Sequence, residues 1–413
     1  MTKAIAVIGA NYGDEGKGAT VHRLAKLYNI SDVVRFNGGS QAGHTVQIQG
    51  GVKHIFHTYG SSTLQGATTW YTEDMMVSPI HIFEEWESLS SKISKLSLIK
   101  VHPECVVVTP WDIALNQMME LGRGADRHGS CGQGINEAMT RHLHPDNVRL
   151  TAEALLNDVF INGFIPRVTE WYHKRVLEEI EKGTFSKVED PNFIPYLTSS
   201  ELRAKALMKF LQYPPAFLRA CMVAQVEKKG RNYPIGLPTD EGRILFEGAQ
   251  GLLLDQEDVE HFPHVTRSST GLKNVLKACV NGVELEQVYY VTRPFLTRHG
   301  QGPILKGLPC GDLWDQGQDK TNRFNQFQGG LRYSHLDWGM LKDRIEKDVA
   351  QCPTRPKVKL ALTWMDSIHN QEKYQFYWHG EVTEFDSTDS EKIQDTIHDR
   401  LGIEVVSFDG RKG

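Results

Sequence analysis

KAIAVIGANYGDEGKGATVHRLAKLY, residues 3–28, holds three kinds of local structure in one short run. The segment 4–8 is apolar without polar alternation, which is the pattern of a strand buried on both faces of a parallel sheet. Val21, Leu24, Ala25 and Tyr28 follow at i, i+3, i+4, i+7, which is one face of an amphipathic helix. Between them lies NYGDEGKG, a glycine-rich turn. A turn joining a strand to a helix N-terminus aims backbone N–H groups at an anion, and the helix dipole adds to the attraction. Gly16, Lys17 and Gly18 are therefore expected to bind nucleotide phosphate. The match to a GxxxxGK[ST] loop is incomplete, because Asn11 stands for one glycine and Gly18 for the metal-binding hydroxyl. Asp14 inside the loop is the candidate substitute ligand for magnesium.

Similar apolar runs recur at 33–36, 105–108, 244–246, 288–291, 359–362 and 404–406. With helical patterns between them they predict an α/β fold, a mostly parallel central sheet flanked by helices. Residues 151–217 read as mostly helical, broken at PNFIPY, so a helical subdomain is expected inside a single domain spanning 1–413. VQIQGGVKHIFH reads as a hairpin turning at Gly50-Gly51. The charged run 227–231 reads as a solvated helix end. With 40% hydrophobic and 23% charged residues the chain has the composition of a globular protein, not a disordered one. A net charge of −5 gives no general attraction to nucleic acid or to an anionic membrane. Neither a signal peptide nor a membrane span is legible, and the six cysteines, Cys310 among them, are scattered without metal spacing. A cytoplasmic protein is expected, in a host cytoplasm if the source is viral.

The second strand runs into Asn37-Gly38-Gly39-Ser40-Gln41-Ala42-Gly43-His44-Thr45, where a titratable imidazole ends a glycine-rich loop. GDEGKG followed by GGxxAGHT resembles the adenylosuccinate synthetase family. So does FEGAQGLLLD at 246–255, which matches that family's FEGAQGxLLD. The resemblance implies a homodimeric ligase on a mostly parallel sheet. Such an enzyme couples L-aspartate to a purine nucleoside monophosphate through a 6-phosphoryl intermediate, using GTP and Mg2+. It implies Asp14 as catalytic base and metal ligand, His44 as general acid, the Gly43 carbonyl as a second metal ligand and Lys17 on phosphate. It also implies Gln250 on the substrate base, Thr266 on the substrate phosphate, and Gln41, Ser130 and Cys131 as substrate contacts. Arg141 is the candidate for an arginine reaching the partner subunit's nucleotide. GGLRYSHLD stands where an arginine-rich aspartate loop belongs, leaving Arg332 as the carboxylate clamp. LTWMD replaces LTKLD, with Asp366 on the donor base and Trp364 at the lysine position. The ending VVSFDGRKG only loosely resembles the family's STGPDR.

Two substrates compete within this reading. Asp14 points to IMP, whereas viral relatives acting on deoxyguanylate carry a smaller residue there. Gln41, Cys131, Arg267, His299 and the GGLR loop depart from the usual pattern and keep (d)GMP, with ATP as donor, as the alternative. A nucleotide-binding switch without ligase activity is the reading from another class.

Overall fold

A computed structural model describes residues 2–48, 51–146, 148–212, 221, 242–279, 282–304 and 325–408. The expectations for Gly50, the helical stretch 213–217, the charged run 227–231, Cys310 and the last five residues fall outside the described residues. Strands β1 (Thr2–Gly9), β2 (Asp32–Arg35), β5 (Thr68–Tyr71), β6 (Lys100–Val101), β7 (Arg243–Gly251), β8 (Val283–Thr292), β11 (Lys357–Thr363) and β14 (Glu404–Phe408) form one sheet. Its order is β14-β11-β8-β1-β7-β2-β5-β6. Every pairing in it is parallel.

The strand alternation of β1 shows why its apolar run is unbroken. Ile5 and Val7 face α1 (Lys17–Leu27), packing with Val21, Leu24, Ala25, Val33 and Leu245. Ala4, Ala6 and Ile8 face the opposite layer, where α8 (Leu272–Ala278) and α9 (Trp338–Val349) contribute Leu272, Val275, Leu341 and Ile345. Neither face of the strand meets water, so neither tolerates a polar residue. Each wholly buried aliphatic side chain here contributes roughly 1.5–3 kcal/mol. The C-terminal α10 (Ser390–Leu401) adds Ile393, Ile397 and Leu401 to the same core.

The helices α2 (Pro79–Ser90), α3 (Pro110–Arg123), α4 (Ile135–His142), α5 (Asp158–Glu181), α6 (Phe193–Leu197) and α7 (Ser200–Leu211) fill the middle of the chain. The last three bear out a mostly helical character for the expected stretch as far as it is described. Trp111, Phe164, Trp171 and Tyr172 centre a second core there. Hairpins complete the fold: β3 (His44–Gln47) with β4 (Lys53–Phe56), β9 (Phe295–His299) with β10 (Leu331–His335), and β12 (Lys373–Trp378) with β13 (Glu381–Asp386). The run 105–108 forms only single bridges, Val106 to Thr151 and Val77 to Val107, not a strand. Pro103 and Pro110 bracket it, and Thr109 already caps α3, which leaves no length for a ladder. Strands β5 and β6 escaped the sequence reading because one is threonine-rich and the other has two residues.

A sheet with all strands parallel sends every C-terminal strand end to one side, where ligands of such folds bind. The loops after β1, β2, β7, β8 and β11 meet there.

Candidate active site

Loop one, after β1, closes on itself. Glu15 Oε1 accepts from the Gly13 N–H at 2.7 Å, and Lys17 Nζ donates to the Gly13 carbonyl at 2.7 Å. Lys17 also lies 3.6 Å from Glu15 Oε2, and both side chains are buried. Burial raises the Glu15 pKa, while the neighbouring lysine opposes the shift. Gly16 caps α1 at φ 91°, a left-handed conformation that L side chains rarely adopt. Asp14 is half-buried, and its carboxylate makes no hydrogen bond with a described residue. The loop is tied down from three strands. Leu253 N–H donates to the Asn11 carbonyl at 2.9 Å, Asn11 Nδ2 to Thr292 Oγ1 at 2.9 Å, and Thr363 Oγ1 to the Glu15 carbonyl at 2.7 Å.

Loop two, after β2, is fastened to the end of β7. Asn37 Nδ2 donates to the Ala249 carbonyl at 2.9 Å, and Asn37 Oδ1 accepts from the Ala249 N–H at 2.7 Å. His44 follows at the start of β3 and packs on the first turn of α1. A Cβ on Gly18 would lie 2.8 Å from His44 Cβ, so only glycine fits. His44 is 4% exposed, and its Nδ1–H donates to Glu247 Oε1 on β7. The other carboxylate oxygen accepts from the Ser61 N–H at 2.9 Å, and the Ser61 hydroxyl donates to Oε1. Burial pushes the His44 imidazole down to about 4, against the pull of Glu247. Burial acts to raise Glu247, but His44, Arg35 and Ser61 outweigh it and hold the carboxyl at about 2. Glu247 is held ionised, because Arg35, its register partner on β2, and the Ser61 donors act whatever the state of His44. An ionised Glu247 fixes the proton on Nδ1 and leaves Nε2 for a ligand.

Gln250, half-buried at the end of β7, has φ 62°, a strained conformation for a non-glycine residue and one that collects at functional sites. Gln41 has both carboxamide atoms buried without a partner among the described residues. Ser130 Oγ donates to Asn116 Oδ1 at 2.9 Å, and the adjacent Cys131 thiol is pushed up to about 11 by burial. Their loop leads into α4, whose Ile135 packs with Met76 beside loop two. Thr266 N–H donates to the Leu254 carbonyl at 2.8 Å, which hangs it on the segment following β7. Arg332 is exposed, with Nη2 donating to the Gly302 carbonyl at 2.7 Å. After β11, Trp364 turns at φ 60° with the Arg293 guanidinium 4.4 Å from its ring centroid. Asp366 follows in a short 3₁₀ turn, Met365–Asn370.

The family model for adenylosuccinate synthetase matches residues 6–322. The chain belongs to the adenylosuccinate synthetase family. With that family it is a carbon–nitrogen ligase. It is 30% identical over 337 residues to adenylosuccinate synthetase of Saccharophagus degradans, covering 80% of this chain and 71% of the relative. The enzyme of Xanthomonas euvesicatoria pv. vesicatoria is 28% identical over 412 residues, covering 95% and 84%. Among solved structures, fully ligated adenylosuccinate synthetase from Plasmodium falciparum superposes with a TM-score of 0.71 at 19% identity, covering 97% of this chain and 96% of that one. Succinoaminodeoxyadenylate synthetase of cyanophage S-2L, bound to dGMP and dATP as an energy donor, reaches 0.59 at 13% identity, covering 99% and 93%. These two likenesses carry the fold.

One expectation needs correction. Arg141 does not extend towards a partner. It is fully buried, with Nε and Nη2 on the two oxygens of Asp112 at 2.9 and 3.0 Å. Nη1 and Nη2 also donate to the Val148 and Val107 carbonyls at 2.7 and 2.6 Å. The guanidinium is spent in its own core, joining α4 to the start of α3. Arg141→Met would leave Asp112 charged and unpaired, so a loss of about 3–5 kcal/mol in unfolding free energy is expected by urea titration. Little change in stability would show that the pair is not structural. Sequence reasoning also missed Glu247, Ser61 and Arg35. Glu247 was in plain view inside FEGAQG, but only the fold shows that β7 carries it under the imidazole at the end of loop two.

Proposed function

We propose that the protein joins L-aspartate to C6 of IMP through a 6-phosphoryl intermediate, spending GTP, with loops one and two supplying the chemistry. The reading rests above all on the His44–Glu247 pair seated against the first turn of the helix that Lys17 opens. Asp14 takes the N1 proton of the purine, which moves negative charge onto O6 and makes it a nucleophile towards the γ-phosphorus. Lys17, whose Nζ rests on the Gly13 carbonyl, neutralises phosphate charge. His44 acts as the imidazolium, which the ionised Glu247 stabilises through Nδ1–H, and its Nε2–H donates to O6 and offsets the negative charge that gathers there. The amine of aspartate then attacks C6, the C6–O6 bond breaks, and phosphate leaves carrying O6.

Magnesium fits the residues of loops one and two. Asp14 offers a carboxylate without a hydrogen-bond partner among the described residues, and the exposed Gly43 offers a carbonyl. Hard oxygen donors in small number, completed by substrate phosphates, suit this cation. Bound there, the cation would neutralise charge on the transferring phosphoryl group. Gln250 reads the base, Thr266, Ser130 and Cys131 meet the substrate phosphate, Gln41 contacts the same substrate, Arg332 meets aspartate, and Trp364 with Asp366 receive the donor base. Like its family the chain is read as a homodimer, without Arg141 as the arm between subunits.

Gln41 supports (d)GMP as a second substrate reading, because its buried carboxamide offers one donor and one acceptor to a ligand. Purified protein with aspartate and magnesium, set against IMP, GMP and dGMP with GTP or ATP, separates the readings by product mass. Adenylosuccinate from IMP and GTP is the expected product. A 2-amino product from dGMP with ATP would move the assignment to the second substrate. Phosphate release indifferent to aspartate would overturn the ligase in favour of a nucleotide switch.

A further inference from the structure

Helix α9 begins three residues after β10, the strand bearing Arg332, and its inner face reaches loop one. There Arg344, half-buried, donates from Nη2 to Asn11 Oδ1 at 2.6 Å. Its Nε is buried without a partner among the described residues. The carboxylates facing this guanidinium are already engaged. Glu15 serves Gly13 and Lys17. Asp337 caps α9 and accepts from the His379 and Gly380 backbone at 2.9 and 2.8 Å. Asp258 pairs with His261 at 2.8 Å. None is within ion-pair distance of Arg344 among the described residues. Burial pushes this guanidinium down to about 10, against the pull of Tyr12, Asp337, Glu15 and Asp258.

A guanidinium left with one neutral amide partner lacks the bidentate anion that suits its planar fork. We propose that Arg344 is a further binding residue of the ligase site, completing its charge on an anionic oxygen of a substrate. Resting on the ligase reading, two substrates bring such an oxygen to the space between loop one and β10. One is the carboxylate of the amino acid, the other the phosphate chain of the donor. The arginines expected on the amino-acid loop are mostly absent from this sequence, and Arg344 supplies a cation from a different element. Asn11 aims it, because its carboxamide spans Arg344 and Thr292 and so fixes the guanidinium relative to the ends of β1 and β8.

The test compares wild type, Arg344→Met and Arg344→Lys by steady-state kinetics. The KM for aspartate or the KM for the triphosphate should rise roughly 10- to 100-fold in Arg344→Met, with kcat within about threefold. Arg344→Lys should recover part of the loss. A rise confined to aspartate names the carboxylate, and one confined to the triphosphate names the phosphate chain. Unchanged constants, or equal rises for all three substrates with a lowered Tm, would overturn the proposal. Thermal shifts with L-aspartate alone and inorganic tripolyphosphate alone read binding without turnover, and one of them should shrink in Arg344→Met. If wild type shows no aspartate-dependent phosphate release, the ligase reading fails, while an Arg344-dependent shift would still uphold anion binding.

Discussion

Asp14→Ala is expected to abolish ligation to the limit of detection while leaving the fold intact. The carboxylate is half-buried, makes no hydrogen bond with a described residue, and sits in a loop held by its neighbours, so its removal breaks no structural contact. Two functions disappear together. The purine N1 keeps its proton, so O6 stays a weak nucleophile, and the cation loses a ligand. Asp14→Asn should be nearly as inactive, because an amide cannot accept the proton. Tm should stay close to wild type in both, which separates lost chemistry from lost structure. Near-normal turnover in either variant would remove Asp14 from the mechanism.

His44→Asn should lower kcat by roughly 10²–10⁴-fold, the range for a lost acid–base group. Glu247→Gln should lower it by a comparable factor, since an amide no longer stabilises the imidazolium or fixes its tautomer. The combined variant should be little worse than His44→Asn alone, because the carboxylate acts through the imidazole. Substrate binding, read by nucleotide-induced thermal shifts, should survive in His44→Asn. An additive loss in the double variant would mean that Glu247 has a task of its own. A small loss in His44→Asn would make the imidazole structural, a plug between α1 and β7.

What was legible in the sequence follows from how each signal is stored. The central strands announced themselves because burial on both faces forbids polar residues over several positions, and α1 because its apolar stripe follows a glycine turn. Such constraints are local. The residues proposed to bind phosphate and to act on the purine are marked by the paired motifs. The failures have a different origin. Arg141 reads as an exposed helix arginine, because nothing nearby in sequence says that Asp112, on another helix, will take two of its nitrogens. Arg344 and Asn11 are more than three hundred positions apart, and their contact exists only once α9 packs under β1. Glu247 lay inside a quoted motif, yet its partner comes from a loop two hundred residues earlier. Short strands such as β6 carry too little sequence to declare a period.

Oxygen-18 placed at C6 of IMP follows the oxygen on which Asp14 and His44 are said to act. Turnover with aspartate and GTP should deliver the label into the inorganic phosphate, seen by mass spectrometry, and neither Asp14→Ala nor His44→Asn should approach the wild-type rate of transfer. Unlabelled phosphate released in step with product would mean that O6 never receives the phosphoryl group, and the shared-oxygen account would be wrong.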